Sequence, residues 1–513
     1  MLMHAAMDGS SLLVQVSVAL LASLASILLI SWLGNKVVAR KSRRLALPPG
    51  PRGLPLVGYL PFLGTDLHLT FAKLGSVHGP IFKVWLGNKM YVVVSSPEVV
   101  RQVVREKDTI FANRDAARAA RIATYDANDI AFRDYGPEWR KMRKIFVHKM
   151  LGNATLDASF RLRRGVVARG VKEVYGQIGR PVKIGAVGLL TVINSMVAMI
   201  WGASEDGGGP DWEALMEELM VLVGAPNVSD FFPALAWLDM QGICAKMRLL
   251  IDQFEGLFEV AIARIRSGAD GGGGDGSFLP HLVGLQHGGD PSSSLTMTQI
   301  KGMLMDTAVG GTDTTATIFE WALSELLLHP QAMKRAQDEL TQVVGVNNHV
   351  AESHLPKLKY LDGVVKETLR LHPAFPLLIP RRPSEETEVG GYRVPKDATV
   401  FVNVWAIHRD PALWDEPSAF RPERFLDGAT KWDYSGKDLR YLPFGSGRRS
   451  CPGLPLAERA LMYTLAVFLH LFEWAVPEGV EIGLEEKFGL VMKKKETLVA
   501  IPTPRFSNAD LYG

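Results

Sequence analysis

The stretch PFGSGRRSCPG, residues 443–453, crowds three glycines and two arginines around one of only two cysteines in 513 residues. From Leu456 onward the apolar spacing is helical, and Pro452 suits a first helical turn, where no amide hydrogen is needed. The spacing predicts a last helix that starts at the cysteine. Cys451 would then face orphan amide hydrogens and the positive end of the helix dipole, a position that favours thiolate over thiol. Gly445, Gly447 and Gly453 clear side chains from places where the backbone must turn tightly or approach something large. Three readings of Cys451 follow: a buried thiol, a nucleophile, or a single ligand to a cofactor metal. A nucleophile needs a histidine base; His408 and His372 are candidates, but nothing in the sequence pairs either with Cys451. Two cysteines exclude a disulfide framework and a four-cysteine zinc site. Cys244, in MQGICAKM, reads as core.

Near the N-terminus, residues 12–33 hold no charged side chain and are rich in Leu, Val, Ala and Ile. About 20 such residues cross a bilayer core as a helix. A cleaved signal peptide would place basic residues in front of a shorter apolar run. Here they follow it, as Lys36, Arg40, Lys41, Arg43 and Arg44. Those charges keep the flank in the cytosol. The expectation is an uncleaved anchor over 1–45 with a body in a reducing compartment, where the sequons at Asn153 and Asn227 are chance matches. LALPPGPRGLPLVG follows, and its prolines stop the anchor helix; 46–58 reads as a stiff hinge that sets the body's tilt. The net charge of +3 gives no general case for nucleic acid.

The rest, 59–513, reads as one large, mainly α domain with small β-sheets, without internal repeats. IFKVWLG and MYVVVSS form a hairpin around Gly87-Asn88. Residues 97–266 are mostly helical in period, and SGADGGGGDGS, at 267–277, is a low-complexity loop. A long helix is expected over 295–329 and another over 357–371. Short β segments follow near 387–404, then a proline-rich irregular tract to about 450.

Three further stretches carry chemistry. AVGGTDTTA, at 308–316, places Gly310 and Gly311 inside the long helix, at a cost of about 1 kcal/mol each against alanine. Two such residues ask for a groove or local widening, beside Asp313 and Thr314. KETLRLHP, at 366–373, sets Glu367 and Arg370 at i and i+3, a spacing at which they can pair. PEWRKMRK, at 137–144, sets Trp139 and Arg143 at i and i+4, an indole N–H and a guanidinium suited to carboxylates. Read alone, each is ordinary helix packing or solvated surface.

Together with the cysteine loop, these stretches resemble the cytochrome P450 superfamily. Phe444, Gly447, Arg449, Cys451 and Gly453 match its haem loop at every fixed position. The resemblance implies haem b (heme b, iron protoporphyrin IX) with Cys451 as axial thiolate, which pushes electron density toward the iron, and Arg449 on a propionate. It implies that Thr314 orders water and hydrogen-bonds bound dioxygen, and that Asp313 relays protons. It sets Trp139 and Arg143 against the propionates, and joins Glu367 and Arg370 to Arg424, in FRPERF, as a structural cluster. All motifs occur in family order. The anchor and hinge resemble the plant microsomal branch, and SDFFP, WGASED and FANRD resemble a group with terpenoid hydroxylases, close to the flavonoid 3'-hydroxylases.

The resemblance implies a monooxygenase that inserts one oxygen atom of O2 into a small apolar plant metabolite, terpenoid or phenylpropanoid-derived. No flavin domain or dinucleotide fingerprint is present, so electrons from NADPH come through a separate membrane-bound NADPH–cytochrome P450 reductase. Arg440, Arg448, Arg449, Lys141 and Lys144 are candidates for its docking face. By family layout the pocket wall includes residues 111–132 and 220–245, Met305, Ala308, Phe375, Leu378 and Leu490. The implied location is the endoplasmic reticulum membrane, single-pass, with no nucleic-acid partner. The alternatives are a haem-thiolate enzyme that rearranges or dehydrates, for example an aldoxime, without external reductant, and a membrane-tethered haem sensor.

Overall fold

The computed structural model describes residues 45–202, 212–267, 277–286, 294–426, 428 and 431–513, with isolated positions between 15 and 26. The rest of the 12–33 segment, its basic flank and residues 268–276 of the glycine-rich loop lie outside the described residues. Two described helices are long and apolar enough to cross a membrane, Ile184–Trp201 and Leu454–Leu471, but both belong to the protein core.

Residues 46–58 are strapped to the body. Lys83 N donates to Pro49 O at 2.8 Å, and Tyr59 N to Trp85 O at 2.7 Å, so the proline-rich segment runs beside the first strand. The principal helices are α1 (Pro137–Ile145), α2 (Phe160–Tyr175), α3 (Ile184–Trp201), α4 (Trp212–Gly224), α5 (Ile243–Arg266), α6 (Met297–Gly311), α7 (Asp313–Leu328), α8 (Pro330–Val344), α9 (Lys359–Leu371) and α10 (Leu454–Leu471). Their ends follow from local chemistry. Pro137 opens α1, with Glu138 in its first turn and Arg143 and Lys144 in its last, each sign placed to suit the helix dipole. Thr296 Oγ1 accepts Gln299 N at 3.2 Å while Gln299 Oε1 accepts Thr296 N at 3.0 Å, and this capping box starts α6.

Two expectations need correction. The single helix over 295–329 is two helices, broken at Thr312, where φ is −89° and ψ −75°. The glycine pair weakens the helix there. Thr312 Oγ1 and Thr314 Oγ1 then donate to Ala308 O and Gly310 O, each at 2.8 Å, and such back-bonding bends a helix. The last helix starts at Leu454, capped by Gly453, and the proline of its first turn is Pro455. Pro452 disfavours helical backbone at the preceding residue, so Cys451 stays outside.

The main sheet holds β1 (Ile81–Leu86), β2 (Lys89–Val94), β3 (Asn113–Arg114), β4 (Arg381–Arg382) and β5 (Thr399–Val402), in the order β1-β2-β5-β4-β3. The expected hairpin is present: Leu86 pairs with Lys89, and Gly87 takes φ +57° at the turn. β2 also runs parallel to β5, with Val92 opposite Val400. β3 and β4 are antiparallel and set Arg114 opposite Arg381. α7 forms the centre of the helical part, against α3, α9 and α10. Trp321 on α7 is fully buried, and Phe319 meets Phe468 of α10 edge-on at 5.5 Å. The breaks at Thr312 and Gly453 leave a cavity between α6–α7 and the cysteine loop.

Candidate active site

Cys451 lines this cavity, whose volume is about 270 Å³. Protein surrounds the residue, yet it remains accessible, because it opens onto the internal void. Cys451 N donates to Phe444 O at 2.9 Å and fixes the loop. Burial pushes the thiol up; hydrogen bonds from the Gly453 and Leu454 N–H groups and the Arg143 guanidinium pull it the other way. Left to itself the sulfur keeps its proton. With a metal in the proton's place, the same amides stabilise the anion. Gly447 holds the loop's approach to its neighbour: its φ is +74°, and a Cβ there would lie 2.2 Å from Val104 O. Phe444, Gly445 and Gly453 also line the cavity.

Four arginines face the same space: Arg114 from β3, Arg143 from α1, Arg381 from β4 and Arg449 from the loop. Their hydrogens go largely to backbone carbonyls. Arg449 Nη1 donates to Ile130 O at 2.9 Å, and its other nitrogens to Ala112 O and Arg133 O. Arg143 Nη2 donates to Ser450 O at 2.8 Å, and Arg381 Nη2 to Ser446 O at 2.8 Å. Asp108, 3.5 Å from Arg381, and Asp129 oppose their charge only in part. Burial, then repulsion from Arg381, holds Arg449 down at about 9; burial, then Arg449 and Arg381, lowers Arg114. A cavity with a ligating sulfur and an excess of buried positive charge fits a flat metal cofactor that carries carboxylates. Trp139 lies one layer behind: its Nε1 donates to Ile130 O at 2.9 Å, and Arg449 covers its ring at 4.4 Å. In this structure its indole N–H is given to that carbonyl.

The opposite wall is the helix break. At Gly310 a Cβ would meet nothing within 4 Å, so its bare backbone opens onto the void; at Gly311 it would strike Met196 Sδ at 2.6 Å. Thr314 lines the cavity, its hydroxyl hydrogen given to Gly310 O. Asp313 stands behind the wall, 2.7 Å from Lys493 Nζ, and its Oδ2 has no hydrogen-bond partner among the described residues. Burial raises the carboxyl and Lys493 opposes this. Of the expected pocket residues, Met305, Phe375, Leu378 and Leu490 line the cavity. Ala308 does not. Its small side chain is packed into the core beside the cavity, 6% exposed. No histidine lines the cavity among the described residues. His408 accepts Leu442 N at 2.9 Å and faces Arg370 O, and His372 stacks on Trp321 at 3.9 Å, so neither serves Cys451 as a base.

Glu367, Arg370 and Arg424 do meet. Arg424 Nε donates to Glu367 Oε1 at 3.1 Å, and Arg370 Nη1 reaches His408 O and Pro417 O, each at 2.7 Å. Through His408 and Leu442 the cluster is tied to the start of the cysteine loop. Of the basic residues considered for docking, Lys144 is exposed, Arg448 is exposed but 3.6 Å from Asp108, Lys141 is paired with Glu138, Arg440 with Asp438, and Arg449 is buried.

Sequence reasoning placed 111–132 in the pocket wall but missed Arg114 as a charge within it, and missed Arg381; only the β3–β4 pairing brings the two together. It also missed Asp306, which lines the cavity from α6 and accepts Ile130 N at 2.6 Å. An acid alone in the apolar run GMLMDTAV was the available signal.

Residues 48–501 match the family model described as Cytochrome P450. A flavonoid 3'-monooxygenase of Crocosmia x crocosmiiflora is 37% identical over 94% of this chain and 98% of that protein. One from Oryza sativa subsp. japonica is 39% identical, over 91% of this chain and 92% of its own. A zebrafish cytochrome P450 structure with progesterone is similar at a TM-score of 0.76, with 27% identity over 86% of this chain and 100% of that one.

Proposed function

Because this chain belongs to the cytochrome P450 family and is a haem b-dependent monooxygenase, we propose that it hydroxylates a flavonoid or related phenylpropanoid-derived metabolite. One atom of dioxygen enters the substrate and the other leaves as water, with two electrons from NADPH through a separate NADPH–cytochrome P450 reductase. Segment 12–33 anchors the chain in the endoplasmic reticulum membrane, 46–58 is the hinge, and 59–513 faces the cytosol.

A single observation carries the reading: one cavity has Cys451 on one side, the bare Gly310 backbone with Thr314 on the other, and apolar walls between. Cys451 and the four arginines would hold the haem, which supplies the activation of dioxygen. The chain's own side chains do the rest. Met305, Phe375, Leu378 and Leu490 hold an apolar substrate by shape and keep water out. Thr314 Oγ1 donates its hydrogen to Gly310 O and offers its lone pairs to a water or substrate hydroxyl. Asp313, joined to the half-exposed Lys493 behind the wall, relays protons toward the cavity once the Thr314 hydroxyl turns from Gly310 O. Lys144 and Arg448 belong to a basic docking face for the reductase.

The test is a screen of flavonoids, other phenylpropanoids and terpenoids for the haem absorbance shift that marks displacement of bound water, followed by turnover with reductase. The proposal expects a flavonoid to give the shift and an NADPH-dependent product one oxygen heavier. A shift confined to terpenoids, or product formed without NADPH, would overturn it.

A further inference from the structure

The loop between β3 and α1 meets α6 along a seam of backbone and acid. Gly302 and Asp306 stand one turn apart on one face of α6. A Cβ at Gly302 would lie 2.1 Å from Asn128 O, so the loop backbone rests directly on the helix there. One turn on, Asp306 takes the Ile130 N–H and faces both the Ala131 N–H and the Asp129 carboxyl. Asp129 is fully buried and accepts the Phe132 N–H through both oxygens at 3.2 Å. The other side of Ile130 is equally committed, since its carbonyl accepts Trp139 Nε1 and Arg449 Nη1. Just before the seam, Tyr125, Asp126 and Ala127 have φ of +53°, +60° and +57°. Three successive left-handed residues without a glycine are costly and persist only where the surroundings fasten them.

We propose that Asp129 and Asp306 share one proton in a clasp between loop and helix. The clasp fixes Ile130, and through it the cavity wall at Ala131 and Phe132 and the Arg449–Trp139 cradle. Two carboxyls in contact, Asp129 fully buried and Asp306 open only to the cavity, do not readily both ionise. Burial and then the Asp129 charge push Asp306 up, while burial pushes Asp129 only to about 6. The groups facing the pair explain the difference: the Phe132 N–H, the Asp306 proton and the Arg133 N–H stabilise the Asp129 anion, and then the charged Arg449 from the cysteine loop and Arg114 from β3 act on it too. The anion resides there and the proton on Asp306, the one acid in the cavity wall among the described residues. Asp306 is thus a positioning residue. Its consequence for substrate and haem rests on the monooxygenase reading; the clasp itself does not.

Hydrogen exchange on the full-length, haem-loaded protein tests it, read as protection factors over 123–133 from neutral to alkaline pH. Asp306→Asn keeps both bonds, because its amide oxygen accepts Ile130 N–H and its NH2 donates to the Asp129 carboxylate. It should match the wild type at neutral pH and hold that protection as pH rises. The wild type should lose roughly tenfold as the shared proton leaves, the scale of one net hydrogen bond. Asp306→Leu should show that loss already at neutral pH, confined to the loop, with α10 unchanged. A wild-type loop as indifferent to pH as Asp306→Asn overturns the shared proton, and full protection in Asp306→Leu overturns the clasp. The carbon monoxide spectrum, recorded on each sample, reports separately on haem–thiolate ligation. Its absence from the wild type would count against the monooxygenase reading and leave the exchange result to decide the clasp.

Discussion

Arg370 grips both carboxylate oxygens of Glu367, through Nε at 2.7 Å and Nη2 at 2.8 Å, with neither side chain exposed to solvent. The pair anchors the segment that leads into the cysteine loop. Removing one partner leaves the other's charge buried without its match, at a cost of about 3–5 kcal/mol. Glu367→Ala should therefore lower the urea midpoint sharply and release haem early in the transition. Arg370→Lys should do nearly as badly, because an ammonium cannot make the paired fork. A midpoint equal to the wild type in either variant would remove the cluster from the account.

Glu486 links three distant elements. It is 2.9 Å from His68 Nε2, 3.8 Å from His372 Nδ1 and 3.5 Å from Arg409 Nη2. Burial alone would raise its carboxyl, but the nearby His372, the hydrogen bond with His68 and the Arg409 charge hold it down at about 2. The folded value lies below the ordinary value of about 4.3. The stabilisation is therefore complete above that pH and disappears as the pH falls from there toward 2. Thermal melts through this window should show a steeper acid loss in the wild type than in Glu486→Gln; parallel curves would contradict the assignment.

Two glycines make opposite predictions. Gly447→Ala meets both an unfavourable φ, at about 1–2 kcal/mol, and a backbone oxygen in its way, so folding and haem uptake should suffer. Gly310→Ala meets open space and gains about 1 kcal/mol of helix propensity. It should melt at or above the wild-type temperature while binding bulky substrates more weakly, as read in spectral titrations. If both variants lose stability alike, Gly310 does not face the void.

Thr314→Ala should keep its haem spectrum yet divert electrons, so that hydrogen peroxide rises and product per NADPH falls. Thr314→Ser, which keeps a hydroxyl, should restore most of the coupling. Unchanged coupling in the alanine variant would take Thr314 out of proton handling.

Much of this site was legible in the chain because its parts are local. The cysteine loop, the glycine pair and the i, i+3 spacing of Glu367 and Arg370 each carry their geometry within a few residues. What escaped depends on distant pairing or on competing local forces. Arg114 and Arg381 meet across two-residue strands, too short to show any alternation. Ala308 was assigned to the cavity by family layout, and its methyl packs into the core beside it. The helix break fell at Thr312 because threonine hydroxyls claim carbonyls there, and α10 starts three residues late because Pro452 bars Cys451 from a helix. The role of Ile130 as a junction was invisible, since its backbone and not its side chain makes the contacts.

The account depends on a thiolate at Cys451 holding iron porphyrin in the arginine-lined cavity. The reduced carbon monoxide spectrum of purified wild type, beside Cys451→Ser and Thr314→Ala, tests this most directly. The wild type and Thr314→Ala should show the red-shifted Soret band of a haem–thiolate, and Cys451→Ser should lose it. The same band in Cys451→Ser, or its absence from a haem-loaded wild type, would contradict the assignment.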